Sequence, residues 1–295
     1  MNKQKQFSSI SEAITLATGV PFELAEKSSL SGGCINRASR IRSFDNRDFF
    51  VKENEIGFLP FFEAEAKALE EIEGTSTLQV PRVISFGSLP DGSFLILSFV
   101  TEGSSTKLGE SRLGEALADL HKIRQPHFGW KIDNCIGSTP QPNPKSEDWI
   151  EFFRSHRLEH QFKLARKKGK EFTNSDQLLS ELDCFFPDYS PQPSLLHGDL
   201  WGGNTSYDSR GMPFVFDPAS YYGDREADLA FTYMFGGFSK SFYESYQSVF
   251  PLDSGFQIRK TLYNLYHELN HFNLFGGGYA YSAQSSIDQL LSSIS

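Results

Sequence analysis

The chain has 295 residues, a formal net charge of −9 and 39% hydrophobic residues. This composition is ample for a packed core, so a globular protein with one large domain or two small lobes is expected. The acidic balance argues against nucleic acid as a partner, because a nucleic-acid surface needs clustered Lys and Arg. No uncharged apolar stretch approaches the ~20 residues of a membrane span, which argues against a membrane as partner.

The cysteines and the first residues bear on the compartment. Cys34, Cys135 and Cys184 lie far apart and form no Cys-x-x-Cys pair. Their spacing predicts neither a structural zinc site nor a disulfide framework, and a reducing compartment is the simplest setting. The first ten residues lack the apolar stretch of a signal peptide. A cytoplasmic protein is therefore expected.

The N-terminal part begins with one helix and continues as strands. Ser9 and Glu12 form a capping-box pattern, and the apolar spacing that follows predicts a packing helix that ends before Gly19. From residue 22 the pattern changes to short apolar runs between turns. It predicts strands over residues 22–30, 35–41 and 48–52.

Gly32 and Gly33, between the first two of these strands, allow two interpretations. The simpler one is an ordinary hairpin turn that needs positive φ. The other is a loop over a nucleotide, where the absence of Cβ atoms lets backbone N–H groups approach phosphates. Lys52 favours the second interpretation, because it ends a strand where kinases place the lysine that contacts the α and β phosphates.

A helix over residues 62–72 is predicted next, with an apolar face that Glu65 adjoins. A lysine that reaches into a cleft needs a carboxylate to hold it, and Glu65 is the candidate. The helix pattern alone leaves the other acids of this segment open, because most such charges face solvent. These acids are Glu63, Glu70, Glu71 and Glu73.

Strand patterns end near residue 100, where a lobe boundary is placed. Residues 80–87 and 93–100 read as two antiparallel strands joined by a Pro-Asp-Gly turn. The predicted lobes are therefore residues 1–102 and residues 103–295. The second lobe is predicted to be mainly helical, with an ordered loop over 125–144 and helices over 108–123, 146–168, 176–186, 242–250 and 257–275.

One segment of the second lobe carries a motif with ordered polar residues. His197, Asp199 and Asn204 are followed by Asp217, which ends an apolar run typical of a strand. The spacing His-x-Asp-x-x-x-x-Asn matches the phosphoryl-transfer loop of kinases. Each residue type alone is common, but the ordered set predicts a catalytic loop followed by a metal-binding strand end.

The chemistry of phosphoryl transfer suggests a role for each of these residues. Asp199 would orient the acceptor hydroxyl and accept its proton, and His197 would brace the loop. Asn204 and Asp217 would supply the hard oxygen ligands that Mg²⁺ prefers. Trp201 either packs inward or forms a wall of the acceptor pocket, because flat aromatic surfaces commonly stack on sugars.

A second acidic segment follows the strand end. Asp224 and Glu226 suit the first turn of a helix and are interpreted as capping residues. Asp228 lies beside apolar residues and is expected to be buried. We expect it to support the catalytic loop by accepting hydrogen bonds from backbone N–H groups.

Several strings of the sequence together resemble the fructosamine kinase (ketosamine-3-kinase) family. The most specific is His-Gly-Asp-Leu-Trp-Gly-Gly-Asn at 197–204, because aminoglycoside phosphotransferases and choline kinases usually lack its tryptophan. The resemblance covers essentially the whole chain. Its other strings lie at residues 31–35, 51–52, 62–66, 117–121, 133–137, 216–219, 221–230 and 235–238.

The resemblance implies an α+β, two-lobed protein-kinase-like fold and ATP-dependent phosphorylation of the 3-hydroxyl of ketosamines, either free or on protein lysines. Such a phosphate makes the sugar adduct labile, so the family is associated with deglycation. On the family pattern Asp199 is the base, and Lys52 and Glu65 are the nucleotide-side pair. The remaining ATP-binding residues are Gly32, Gly33, Cys34 and the adenine hinge Ser98, Phe99 and Val100.

Two positions stand apart from this pattern. After residue 143 the family commonly has a small residue and Trp, whereas this chain has Pro144 and Lys145. Cys34 is either a small apolar turn residue or a redox-sensitive thiol, since amide dipoles aimed at phosphates would lower the pKa of the thiol.

Two alternatives to a ketosamine kinase remain at this point. One is a kinase of another small alcohol, of the aminoglycoside phosphotransferase or choline kinase type. The other is a catalytically silent nucleotide-binding module. The second is disfavoured by the presence of Lys52, Asp199, Asn204 and Asp217, which fill every charged position of the transfer machinery.

Overall fold

The computed structural model describes residues 6–30 and 36–294. The chain divides into two compact units, the first comprising residues 1–105 and 206–217 and the second residues 106–205 and 218–295. Strands dominate the first unit and helices the second, which confirms the predicted α+β class. None of the helices in the described ranges is both long and apolar enough to cross a membrane.

A five-stranded antiparallel sheet forms the centre of the first unit, with the strand order β1-β2-β3-β5-β4. All five strands were predicted, as were the two helices α1 and α2, and their bounds differ from the prediction by three residues or fewer. The elements are α1 Ile10–Thr18, β1 Leu24–Leu30, β2 Arg37–Ser43, β3 Asp48–Asn54, α2 Leu59–Thr75, β4 Val83–Leu89 and β5 Gly92–Ser98.

The central strand β3 divides its side chains between the two faces of the sheet. Phe49 and Val51 pack into one core cluster with Ala13 and Ile14 of α1. Successive side chains of a strand point to opposite faces, so Lys52 faces the other way. It is nonetheless only 5% exposed. The alternation thus places a buried ammonium group on the face away from this cluster.

Asp48, at the start of β3, is held by two guanidinium groups of the neighbouring strand. It accepts from Arg40 Nη2 at 2.7 Å and from Arg42 Nε at 3.0 Å. The hydrogen bonds from Arg42 and Arg40 lower the pKa of Asp48 from 3.8 to about 2. A depressed carboxyl pKa contributes stability above pH 3.8, and that stability is lost as the pH falls towards 2.

We therefore expect Asp48→Asn to lower the melting temperature at pH 6 but not at pH 2. The ion pairs lie at the surface, so the loss at pH 6 should be about 1 kcal/mol, or roughly 2 °C. Differential scanning fluorimetry of the two proteins between pH 6 and pH 2 measures this difference. A difference that stays constant over the whole pH range would contradict the assignment.

The second unit is mainly helical. The predicted helices near residues 108–123, 242–250 and 257–275 are confirmed with small shifts of their ends. The helix predicted over 176–186 ends at Ser180 and is followed by a 3₁₀ turn, Leu182–Phe185. The helices are α3 Lys107–Leu120, α4 Trp149–Phe153, α5 Glu159–Lys167, α6 Ser175–Ser180, α7 Arg225–Phe231, α8 Lys240–Val249, α9 Phe256–Phe275 and α10 Tyr279–Ser292. Two short antiparallel pairs accompany them, β6 Asn134–Ile136 with β7 Thr139–Gln141, and β8 Ser194–Leu195 with β11 Tyr222–Gly223.

The helix predicted over 146–168 is confirmed from Trp149 to Lys167, but it is not α-helical throughout. A π-helical turn, Arg154–Leu158, separates α4 from α5. The fully buried Arg157 lies on this turn and donates to the carbonyl oxygen of Pro142 and to Asn143 Oδ1, both at 2.7 Å. The charged residues at both ends of the segment predicted an uninterrupted helix. Nothing in the spacing of its apolar residues indicates a π-helical turn.

A hairpin and the C-terminal helix of the second unit were not predicted. The segment 125–144, expected to be a loop, contains the hairpin of β6 and β7, whose three-residue strands are too short to show a period. The C-terminal helix α10 was overlooked because many of its residues are serine and other small or polar residues. Its apolar positions nevertheless recur at helical spacing and are buried, at Ala283, Ile287, Leu290 and Leu291.

The segment 206–217 packs with the first unit although it follows the catalytic loop in sequence. Its strands β9, Thr205–Tyr207, and β10, Pro213–Val215, form a small sheet. The backbone N–H of Val215 donates to the carbonyl oxygen of Gln79 at 2.9 Å. Asp217 therefore follows directly on a strand that is fixed to the first unit.

Candidate active site

Lys52 of the first unit forms ion pairs with two carboxylates of the same unit. The Lys52 ammonium donates to Glu65 Oε1 at 2.7 Å and to Asp217 Oδ1 at 2.5 Å. β3 supplies the lysine, α2 supplies Glu65, and β10 leads into Asp217. Among the acids of α2, Glu65 is thus the one that contacts Lys52, whereas Glu63 pairs with Lys67.

Burial shapes the electrostatics of this group. Burial alone would lower the pKa of Lys52, but the negative charges of Asp217 and Glu65 outweigh it and raise that pKa. Burial raises the pKa of Glu65, although the Lys52 ammonium opposes the shift. The result is a permanently charged ammonium group that is held in place by two carboxylates from different segments.

Asp217 has a backbone conformation that is unusual for its residue type. Its φ is 58°, in the left-handed region that most residues other than glycine avoid. Asp and Asn tolerate this conformation better than branched or bulky residues. Its side chain is 43% exposed, so the carboxylate keeps access to solvent while it contacts Lys52.

The predicted hinge residues lie at the end of β5 and directly after it. Ser98 is the last residue of β5, and its hydroxyl accepts from the backbone N–H of Arg82 at 2.8 Å. The Phe99 ring lies under the Arg40 guanidinium, 4.5 Å from its ring centroid. Phe99 and Val100 are half-buried. The sequence-predicted phosphate-loop residues Gly32, Gly33 and Cys34 lie outside the described residues.

The predicted catalytic loop, in the second unit, begins just after β8. The carbonyl oxygen of His197 accepts from the backbone N–H of Ala219 at 2.9 Å. Gly198 has a φ of +83°, and a Cβ atom there would lie 2.1 Å from the carbonyl oxygen of Ala219. Only glycine fits this position without a backbone shift, because both the conformation and the space exclude a side chain.

Asp199 and Asn204 are joined within this loop. The Asn204 amide nitrogen donates to the Asp199 backbone oxygen at 2.9 Å and to its carboxylate Oδ2 at 3.0 Å. The same amide group carries an oxygen atom that suits a hard cation. His197 is fully buried, and its Nδ1 accepts from the Asp199 backbone N–H at 3.3 Å. Asp199, the predicted catalytic base, is thus held by His197 on one side and by Asn204 on the other.

Asp228 holds the same loop from α7. Its Oδ2 accepts from the backbone N–H of His197 at 2.6 Å, and its Oδ1 accepts from that of Gly198 at 2.7 Å. Asp228 is 2% exposed. Each carboxylate oxygen therefore binds one of two successive backbone donors directly before Asp199.

The two acids before Asp228 differ in their roles. Asp224 caps α7, accepting from the Glu226 backbone N–H at 3.0 Å. The expectation that Glu226 also caps this helix is wrong, because its fully buried carboxylate accepts from Arg259 Nε at 2.7 Å. No local pattern predicts this pair, because Arg259 lies on α9, 33 residues further along the chain.

Trp201 lies against one exposed aromatic side chain of the second unit. Its ring meets Phe235 edge-on, with 5.2 Å between the ring centroids. Phe235 is 49% exposed and has a left-handed backbone with a φ of 57°. A Cβ atom at Gly203 would lie 2.3 Å from the indole ring, so Gly203 leaves room for it. The two rings form an aromatic surface two residues beyond Asp199.

No role was predicted from the sequence for several residues that are connected to this loop through Asp228. His121, the residue that follows α3, is fully buried and lies 3.2 Å from Asp228 through its Nε2. Tyr246 of α8 and Arg225 of α7 continue the same chain of hydrogen bonds. The feature of the sequence that could have indicated this group is a histidine that follows an amphipathic helix on its apolar side.

Comparisons with known proteins agree over almost the full length. The family model described as fructosamine kinase matches residues 6–293. A Synechocystis protein named "Probable ketoamine kinase" is 43% identical over 292 residues, which cover 99% of each chain. The chloroplastic protein-ribulosamine 3-kinase of Arabidopsis thaliana is 42% identical over 282 residues, which cover 94% of this chain and 86% of that protein.

The solved structures agree with the sequence comparisons. A Haemophilus somnus crystal structure assigned as a fructosamine-3-kinase superposes with a TM-score of 0.90 at 31% identity, covering 96% of this chain and 97% of that one. The fold is therefore that of the protein-kinase-like phosphotransferases. Within that class, the chain belongs to the fructosamine kinase family.

Proposed function

We propose that this protein uses ATP to phosphorylate the 3-hydroxyl of ketosamines, the adducts of sugars with amines. The observation that carries the proposal is the catalytic loop, in which Asn204 is bonded to Asp199 two residues from the aromatic pair of Trp201 and Phe235. This loop lies in a chain that matches protein-ribulosamine 3-kinase over 94% of its length. Membership of the family indicates the reaction, and the side chains of this loop are those that the reaction requires.

The first unit binds the nucleotide on this proposal. Lys52 contacts the α and β phosphates, because its charge is permanent and Glu65 holds it from α2. Gly32, Gly33 and Cys34 cover the phosphates, and Ser98, Phe99 and Val100 meet the adenine. Arg40, stacked on Phe99, stabilises the conformation of that hinge.

The donor set fits Mg²⁺, which takes hard oxygen ligands and commonly uses one or two protein groups together with phosphates and water. Asp217 offers a half-exposed carboxylate that already contacts the Lys52 ammonium, and Asn204 offers an amide oxygen. When bound, the ion would neutralise charge on the phosphate oxygens. Asp217 and Asn204 are proposed to hold it.

Asp199 acts as the base in the second unit. It orients the acceptor hydroxyl and takes its proton as the new bond to phosphorus forms. Its position depends on the loop, which His197 braces from within and Asp228 holds through two backbone N–H groups. Trp201 forms a wall of the acceptor pocket and stacks on the sugar.

The acceptor is a ketosamine that is either free or formed on a protein lysine, and the protein acts in the cytoplasm. The aromatic surface of Trp201 and Phe235 supports a sugar acceptor, because both rings are partly exposed and aromatic rings commonly stack on sugars. The three cysteines lie far apart in the sequence, as suits a reducing compartment.

A substrate panel tests the proposal. Purified protein with ATP and Mg²⁺ is assayed for ADP release with a ribulosamine, a fructosamine, kanamycin and choline. We expect kcat/KM for at least one ketosamine to exceed that for kanamycin and choline by about 100-fold or more, because a site built to hydrogen-bond its substrate rejects a poor match strongly. Faster turnover of kanamycin or choline than of either ketosamine would contradict the proposal.

A further inference from the structure

The buried histidine that follows α3 makes two hydrogen bonds with different partners. His121 Nδ1 lies 2.8 Å from the hydroxyl of Tyr246, and its Nε2 lies 3.2 Å from Asp228 Oδ2. All three side chains are at least 98% buried, with exposures of 0%, 0% and 2%. At such depth each polar atom needs a hydrogen-bond partner within the protein.

Tyr246 connects this histidine to a buried arginine. Arg225 Nη1 lies 3.2 Å from the Tyr246 oxygen, and the same guanidinium donates to the carbonyl oxygens of Phe250 at 2.7 Å and Pro251 at 2.5 Å. Arginine has donors only, so the Tyr246 oxygen is the acceptor of this bond. Burial raises the pKa of Tyr246, which keeps its hydroxyl proton in place.

For a neutral imidazole, one set of bond directions gives every donor of this chain an acceptor. Because the Tyr246 oxygen accepts from Arg225, its O–H is available to donate to His121 Nδ1. The imidazole proton then sits on Nε2 and donates to Asp228. Asp228 in turn accepts from the backbone of His197 and Gly198 with its two oxygens. Arg225, Tyr246 and His121 thus each donate to the next side chain, and Asp228 is the last acceptor.

We propose that His121 is a positioning residue for phosphoryl transfer, which holds Asp228 in the orientation that fixes the backbone directly before Asp199. The inference rests on the proposed function, because it concerns the geometry of that catalytic base. The imidazole nitrogen Nε2 makes the contact with Asp228. His121 touches none of the reacting groups and acts through Asp228.

The consequence for catalysis comes from the short path between Asp228 and the base. The two backbone N–H groups that Asp228 binds belong to the residues immediately before Asp199, and Gly198 has a conformation that only glycine fits well. Without the third donor, Asp228 Oδ2 can turn away from the His197 N–H. A misplacement of about 1 Å at a reacting group can lower the rate by about 10²-fold.

A matched pair of variants separates positioning from simple packing. In His121→Gln the amide nitrogen occupies nearly the position of Nε2 and keeps the donor to Asp228. In His121→Asn the shorter amide matches Nδ1 instead and loses that donor. The variants are compared by kcat, by KM for ATP and for a ketosamine that the wild type phosphorylates, and by melting temperature.

We expect kcat of His121→Gln to stay within about threefold of the wild type and that of His121→Asn to fall by about 10- to 100-fold. Both KM values should change by about twofold or less, because neither substrate contacts His121. Equal losses in both variants, no loss in either, or losses that follow the melting temperatures would overturn the proposal. Absence of ketosamine turnover by the wild type would instead contradict the proposed function.

A measurement on the unaltered protein gives an independent test. Nitrogen-15 NMR of histidine-labelled protein reports which imidazole nitrogen of His121 carries the proton, and the spectrum of His121→Gln assigns the signal. We expect the proton on Nε2 in the wild type and also in Tyr246→Phe, because Asp228 remains the acceptor for the imidazole N–H. A wild-type proton on Nδ1 would overturn the proposal even if a substituted protein fails to fold.

Discussion

Asp199→Asn is expected to lower kcat by about 10³-fold while the affinity for ATP stays within about twofold, because general-base catalysis typically contributes 10²- to 10⁴-fold. The substitution removes the basic oxygen but keeps the size of the side chain. Its amide oxygen can still accept from Asn204, whose Nδ2 now lies 3.0 Å from the Asp199 carboxylate. The loop should therefore keep its conformation, and the loss should concern the chemical step.

Steady-state kinetics and calorimetric titration with ATP measure the two quantities. Asp119→Asn is the matched control, since Asp119 lies on α3 with a 53% exposed side chain in a surface pair with Lys122. We expect that variant to have wild-type kcat. Undiminished turnover in Asp199→Asn would remove the base from the mechanism, and a large loss of ATP affinity would show that Asp199 acts in binding.

Lys52→Met is expected to have the second large effect, on both activity and stability. The substitution leaves Glu65 as a buried carboxylate without its ammonium partner. Removing one member of a buried pair typically destabilises a protein by about 3–5 kcal/mol. We expect kcat/KM for ATP to fall by about 10²-fold or more, equivalent to about 3 kcal/mol, because the phosphates lose a desolvated cation.

The double variant Lys52→Met with Glu65→Gln separates the two effects. Removing the buried negative charge should restore most of the melting temperature, whereas ATP turnover should stay low. Chemical denaturation and ADP-release kinetics on the wild type, both single variants and the double variant provide the cycle. Recovery of activity together with stability in the double variant would contradict a direct role of Lys52 with ATP.

Much of the first unit was predictable because its signals are local. Alternating apolar residues and turn residues defined all five strands, and the period of β3 placed Lys52 opposite Phe49 and Val51. Glu65 was harder to select, because several acids of α2 had similar spacing. The bond to Lys52 depends on where α2 packs, which is a tertiary property.

The parts that escaped prediction depend on contacts between distant segments. His121 and Asp228 are 107 residues apart, and Glu226 and Arg259 are 33 apart, so no local pattern connects them. The π-helical turn at Arg154–Leu158 has an ordinary helical composition. In each case the determining factor is burial of a polar group that must find a partner, and the sequence alone does not show which partner is near.

The central claim is phosphorylation of a ketosamine on its 3-hydroxyl, and product analysis tests it most directly. A ribulosamine or fructosamine is incubated with the protein, ATP and Mg²⁺, and the product is examined by correlated phosphorus and proton NMR. The account predicts one phosphate ester whose phosphorus couples to the proton on C3, and which is lost when Asp199→Asn replaces the wild type. A phosphate on another hydroxyl, or no phosphorylated sugar adduct at all, would contradict it.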